Sequence, residues 1–171
     1  MKNINELDYF YKLKTISNCA DSLLYKALNP ENSWKNVTGQ NVLKLTFDDF
    51  SNDPKILKMI EHFKCRLNII KLLPRSSYSW HKDHIIRPAA INMLLEGWDS
   101  ITIMGKSVQI GRIFQDLVKI PYEKNRFVLL NVHQWHAVYN FSETRYLLSI
   151  SIPIQSANYL ETLTYIKEND L

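Results

Sequence analysis

The segment Ser79-Trp80-His81-Lys82-Asp83-His84 sets two imidazoles and a carboxylate close together in the chain. In an extended strand residues two apart share a face, so His81 and Asp83 project together while Trp80, Lys82 and His84 project the other way. A His-x-Asp pair offers two ligands to a metal ion, but so short a pattern also recurs by chance in solvated strands. Its meaning depends on a third ligand. His133-Gln134-Trp135-His136 supplies one. Being three apart, those two histidines face opposite sides of a strand, and only one can join His81. His136 shares its face with Val138 and Asn140, and a turn near Asn140-Phe141 would set it across a hairpin from Arg145. His81, Asp83 and His136 are therefore the expected metal ligands. Two histidines and a carboxylate cover one face of an octahedral metal and leave three positions open. An arginine one strand away grips a carboxylate through two parallel hydrogen bonds.

Such a constellation needs a rigid scaffold, and the chain beyond residue 66 reads as one. Residues 67–73 form a β-rich run stopped by Pro74. Further short strands are expected over 89–95, 100–104, 107–114, 127–132, 136–139 and 145–152, separated by turn-like segments such as Glu96-Gly97 and Asn140-Phe141-Ser142. Many short strands at this spacing indicate an antiparallel sandwich, jelly roll or barrel. The first third reads differently. Apolar residues from about 5 to 28 are spaced for a helix ended by Asn29-Pro30. Asp53-Pro54 opens a second helix, with Asp53 as N-cap and Ile56, Leu57, Ile60 and Phe63 on its buried face. Ser156 is the expected cap of a closing helix. The fold class is mainly β with supporting helices. The expected organisation is a single domain over 1–171: helical support in 1–65, a β core in 66–154 and a C-terminal helix in 155–171.

A chain of 171 residues with 46% hydrophobic and 22% charged residues has the make-up of an ordinary globular domain with a real core. Its four glycines include no GxGxxG or GxxxxGK[ST], which excludes the common nucleotide-phosphate loops. The net charge of +4 is scattered rather than clustered, so nucleic acid is not indicated as a partner, although an anionic small molecule is favoured. Cys19 and Cys65 form no CxxC and read as reduced thiols. No apolar leader or membrane-length apolar run occurs, so a cytoplasmic protein without a membrane partner is expected. No feature sets an oligomeric state.

His81-Lys82-Asp83, followed by His136-Ala137-Val138-Tyr139-Asn140-Phe141-Ser142-Glu143-Thr144-Arg145, resembles the HxD…H…R signature of the Fe(II)- and 2-oxoglutarate-dependent oxygenases. The resemblance covers roughly residues 66–154. Leu72-Leu73-Pro74 before Trp80-His81, and Asn140-Phe141-Ser142 before Arg145, are most similar to the aspartyl/asparaginyl β-hydroxylase-like or prolyl-hydroxylase-like groups. Several members of the first group carry glycine in place of the aspartate, whereas Asp83 is present here. The resemblance implies a double-stranded β-helix, a cupin-like jelly roll with N-terminal helices. It implies that His81, Asp83 and His136 ligate Fe(II), with O2 taking a remaining position. It also implies that Arg145 pairs with the distal carboxylate of 2-oxoglutarate as cosubstrate. The implied reaction is hydroxylation of a C–H bond, in an amino-acid, peptide or protein side chain or another small molecule, with release of succinate and CO2.

Other residues are open to two readings. Asn92 is a polar residue in an apolar strand whose amide must find partners, either in the protein or in the cosubstrate. Ser149 follows Arg145 on the same face and is a further pocket candidate. Arg87, pushed towards extended geometry by Pro88, either reaches a ligand or forms a salt bridge. Tyr78 and the tryptophans at 80, 98 and 135 read as packing residues or pocket walls, and His62 and His84 as surface residues. Two rival functions use the same barrel: a cupin-like metal protein with chemistry independent of 2-oxoglutarate, and a non-catalytic binding module. Arg145 argues against the first and the intact ligand set against the second.

Overall fold

The computed structural model describes residues 5–37, 40–108 and 113–171. Eleven strands and three helices follow in the order β1 (Phe10–Ile16), α1 (Ala20–Leu28), β2 (Lys35–Val37), β3 (Gln40–Lys44), α2 (Pro54–Phe63), β4 (Arg66–Leu72), β5 (Ser76–His81), β6 (Ala89–Glu96), β7 (Ile101–Val108), β8 (Ile113–Lys119), β9 (Arg126–Leu130), β10 (Trp135–Asn140), β11 (Arg145–Ile152) and α3 (Tyr159–Glu168). They form two antiparallel sheets: seven strands in the order β1-β9-β6-β11-β4-β3-β2, and four in the order β5-β10-β7-β8. This is the double-stranded β-helix. Among the described residues no helix is long and apolar enough to cross a membrane.

The centre of the larger sheet is buried on both faces, which explains why β6 and β11 read as nearly unbroken apolar runs. Side chains of its outer face, such as Ile91, Met93, Leu148 and Ile150, join Leu23 of α1, Ile56, Met59, Ile60 and Phe63 of α2 and Leu163 and Ile166 of α3 in one core. Each such side chain contributes roughly 1.5–3 kcal/mol through burial. The inner face meets the smaller sheet. One part of that space is filled by Tyr9, Phe10, Ala90, Met104, Val118, Val128 and Leu130. The remainder is polar. Cys19 and Cys65 are free, and burial pushes both thiols up to about 12.

The N-terminal third departs from the helical reading. Where the spacing suggests a helix over 5–28, the chain makes a short 3-10 turn, then β1, and only then α1. The apolar positions suit either state, and Phe10 pairing with Leu130 on the open flank of β9 decides for strand. Strands β2 and β3 come from the same third and extend the sheet beyond β4, so the β core begins well before residue 66. Of the strand expected over 107–114, residues 107–108 end β7 and 113–114 begin β8, paired with each other, and 109–112 lie outside the described residues. Asp53 stands at the N-cap position of α2 as expected, but its side chain makes no cap bond there. Its carboxylate accepts bonds from the Ser17 hydroxyl at 2.7 Å and from the Asn18 and Cys19 amides at 2.7 and 3.2 Å, tying α2 to the start of α1. The cap of α3 is Asn158 with Glu161 in a capping box, rather than Ser156.

The largest correction concerns β10 and β11. They do not form a hairpin, because residues 141–144 carry the chain from the smaller sheet to the larger one. Three contacts hold that crossing. The buried Asn140 amide nitrogen lies 2.7 Å from the Leu73 carbonyl and 2.8 Å from that of Glu143. The Asp99 carboxylate accepts from both the amide and the hydroxyl of Ser142 at 2.5 Å. Gly97, at φ +87°, lets the turn after β6 press against Arg145: a Cβ there would lie 2.6 Å from the Arg145 Cα. Gly97→Ala should therefore destabilise the protein by about 1–3 kcal/mol. Thermal denaturation checks this, and an unchanged midpoint would show that the turn has room to move.

Candidate metal centre

His81 closes β5, and His136 is paired directly opposite it on β10. Their rings approach to 4.1 Å between centroids. Asp83 lies two residues past the end of β5, so it is not held by the strand ladder that the His-x-Asp spacing suggests. Its amide donates instead to the Val132 carbonyl at 3.0 Å, which returns the segment to the cavity. The same construction fixes both imidazoles. Nδ1 of His81 lies 2.7 Å from the Ser79 carbonyl, and Nδ1 of His136 lies 2.9 Å from that of Gln134. A carbonyl only accepts, so Nδ1 is the donor in each ring and Nε2 is the nitrogen left to face Asp83 or a metal. Both Nε2 atoms point at the same oxygen, Asp83 Oδ1, at 3.4 Å. The three ligand atoms lie within 4.8 Å of one another.

The second oxygen of Asp83 is engaged elsewhere. Arg87 Nη1 stands 2.8 Å from Oδ2, and Arg87 Nη2 donates to the Ser149 hydroxyl at 2.6 Å. Burial by itself would raise the Asp83 carboxyl, but His136, His81 and the Arg87 charge outweigh it and hold the group well below the usual carboxylate range. Asp83 is therefore ionised. Its Oδ1 is presented between the imidazoles while Oδ2 is kept by the guanidinium. Two imidazole Nε2 atoms and one carboxylate oxygen, each oriented by a second partner, suit a divalent transition metal.

Arg145 begins β11, on the opposite sheet but lining the same cavity. It is 1% exposed. Its Nη2 donates to Thr102 at 3.0 Å, and the Tyr122 ring lies 5.8 Å from its guanidinium carbon. Burial draws its pKa below the ordinary arginine value, and only Tyr122 opposes that shift. Among the described residues no carboxylate pairs with it, and its Nε has no hydrogen-bond partner. Asn92 and Ser149, paired across β6 and β11, line the cavity as well, and Asn92 Oδ1 likewise meets no donor. A buried cation without a counter-charge costs several kcal/mol unless an anion reaches it.

The structure thus brings His81, Asp83, His136, Arg145, Asn92 and Ser149 around one space. His133 faces away from it, towards Asn131, Gln134 and Lys106. Tyr78 packs edge-on against His81 at 4.3 Å and forms part of the wall. Trp80 lies on the other face of β5, stacked on Phe114 at 4.0 Å. Arg87 takes the salt-bridged reading and also lines the cavity. Thr102, Tyr122 and Gln40 line it without any motif to mark them, although Thr102 is a polar residue between Ile101 and Ile103.

No protein-family model matches this sequence, and no curated protein does. Solved structures are similar in fold. A prolyl-4-hydroxylase from Pseudomonas putida superposes with a TM-score of 0.62 at 12% identity, covering 84% of this chain and 91% of that one. A prolyl hydroxylase from Trichoplax adhaerens, solved with a hypoxia inducible factor peptide, gives 0.63 at 12% identity over 89% and 88%. A viral collagen prolyl hydroxylase from Paramecium Bursaria Chlorella virus-1, solved with 2-oxoglutarate, gives 0.53 at 13% identity over 85% and 96%. At such identities the likeness is one of fold.

The two histidines near β10 separate by experiment. His136→Ala should weaken Co(II) binding by more than the roughly 10–100-fold that loss of an outer partner costs, while His133→Ala leaves it intact. Visible absorption of the Co(II) protein reads both, and the reverse pattern would reassign the ligand.

Proposed function

We propose that the protein is an Fe(II)- and 2-oxoglutarate-dependent oxygenase that hydroxylates a C–H bond of a small-molecule, amino-acid or peptide substrate, releasing succinate and CO2. The observation that carries this reading is Arg145: a buried guanidinium with no carboxylate partner among the described residues, in the same cavity as the convergent set His81, Asp83 and His136. A metal site alone would suit many cupin-like proteins. A metal site facing a buried anion receptor suits a chelating cosubstrate that ends in a carboxylate. The likeness in fold to prolyl hydroxylases, one of them solved with 2-oxoglutarate, supports the same reading.

The residues present fit the group. His81, Asp83 and His136 would hold Fe(II), which, when bound together with O2 and 2-oxoglutarate, supplies the oxidising power for C–H hydroxylation. The protein's own work is positional. The Ser79 and Gln134 carbonyls keep each imidazole in the tautomer that frees Nε2. Arg87 holds Asp83 Oδ2, so that the carboxylate presents one oxygen. Arg145 and Thr102 bind the cosubstrate's distal carboxylate, and Asn92 offers a further polar contact. Leu130, Val132, Val138 and Leu147 line the remaining wall and limit water there.

Anaerobic reconstitution with Fe(II), followed by O2 and 2-oxoglutarate, should yield succinate. No succinate formation, even with candidate substrates present, would refute the reading. Arg145→Met should raise the 2-oxoglutarate Kd by about 30-fold or more, equivalent to roughly 2 kcal/mol, while Co(II) binding persists. An unchanged cosubstrate affinity would remove Arg145 from that role.

A further inference from the structure

The larger sheet continues past the cavity, and its inner face there forms a second, more open space. Cross-strand pairs share a face, which allows that face to be traced row by row. Asn92 pairs with Ser149, Ser149 with Asn68, and Asn68 with Lys44. These four residues make a polar row running from the metal cavity to the edge of the sheet. The neighbouring row is apolar: Leu147 pairs with Ile70, and Ile70 with Val42. At its outer end, Arg66 lies on β4 two residues from Asn68, on the same face and diagonal to Lys44.

The space above these rows is a groove of about 840 Å3 lined by Val42, Lys44, Phe47, Arg66, Ile70 and Arg87, among others. That volume lies within the range of small-molecule sites, which run to about 1,000 Å3. The groove shares Gln40, Ile70, Arg87 and Ser149 with the metal cavity. Its lining contains no acidic residue. Lys44 and Arg66 are solvent-exposed and, among the described residues, neither pairs with a carboxylate. Arg87 is different, being committed to Asp83. The groove floor therefore carries an apolar row beside a polar one, with two cations at its far end and the metal cavity at its near end.

We infer that this groove seats the substrate and that the substrate is a small amphipathic anion: an apolar chain ending in a carboxylate or phosphate. This rests on the oxygenase reading for the groove's purpose, although binding can be measured without it. The chain lies along Ile70 and Val42, and its anionic head pairs with Lys44 and Arg66. Lys44 stands two strands from Ser149, so the head sits roughly 10 Å from the cavity mouth, two inter-strand spacings. The occupant is a small molecule rather than a peptide, because the groove floor is a sheet face. That floor presents side chains for recognition, whereas an extended peptide is held chiefly by backbone pairing along a strand edge.

Calorimetry with octanoate, octyl phosphate and octanol tests this on the full chain, with and without Co(II) and 2-oxoglutarate. One or both anions should bind at least ten-fold more tightly than octanol, and the better of the two identifies the head group. Lys44→Gln/Arg66→Gln should erase that preference without changing the thermal midpoint or octanol binding. Saturating 2-oxoglutarate should leave anion affinity unchanged, whereas displacement would put the probe at Arg145 and overturn the assignment. Equal binding of anions and octanol, or a preference that survives in the double variant, would also overturn it. A glutamate-rich peptide binding more tightly than octanoate would reject the small-molecule occupant. Intact groove binding in a protein that forms no succinate would refute the oxygenase reading alone.

Discussion

Asp83 is the carboxylate on which the site's geometry depends. One of its oxygens faces two imidazoles at equal distance and the other is held by Arg87. Without Arg87 the carboxylate would be free to rotate and present both oxygens to the same centre. Without the carboxylate, Arg87 would be a partly buried guanidinium facing no counter-charge. Because Arg87 also bonds Ser149 on β11, this ion pair joins the segment after β5 to the larger sheet. Among the residues lining the cavity there are then two guanidiniums and one carboxylate. The unbalanced charge is Arg145, and the chemistry proposed for the site follows from that imbalance.

The scaffold keeps this imbalance in place by making Arg145 immobile. Its backbone is pinned by pairing with Leu72 and crowded by the turn at Gly97, while its side chain is held by Thr102 from the opposite sheet. The segment Asn140-Phe141-Ser142, which reads as part of a catalytic motif, works here as a structural joint. Asn140, at the end of β10, bonds the Leu73 carbonyl just after β4 and the Glu143 carbonyl of the crossing segment, and Ser142 fastens to Asp99. Its place near the arginine reflects where the chain must cross between layers.

The groove beside the cavity arises from the same sheet asymmetry. Seven strands face four, and the part of the larger sheet contributed by β3 and the start of β4 is left open. Local segments of the N-terminal third thus do more than support the barrel. They supply the strand on which Lys44 and Val42 lie, beside Ile70 of β4.

The sequence by itself determined the chemistry available and much of the β pattern. His81, Asp83, His136 and Arg145 stand out because of their types and order, and β6 and β11 are legible because runs of apolar residues bounded by turn signals mark buried strands. It did not determine which layer each strand joins. β10 and β11 look like a hairpin because a short turn separates them, and they belong to different sheets because the two-layer closure buries more apolar surface. Nor could β1 and β3 be told from helix by spacing, since their strand state comes from partners far along the chain, β9 and β4. The same holds for Arg87, Thr102 and Tyr122. Their roles depend on contacts made only when the sheets meet, and long-range pairing leaves no periodic trace in the local sequence.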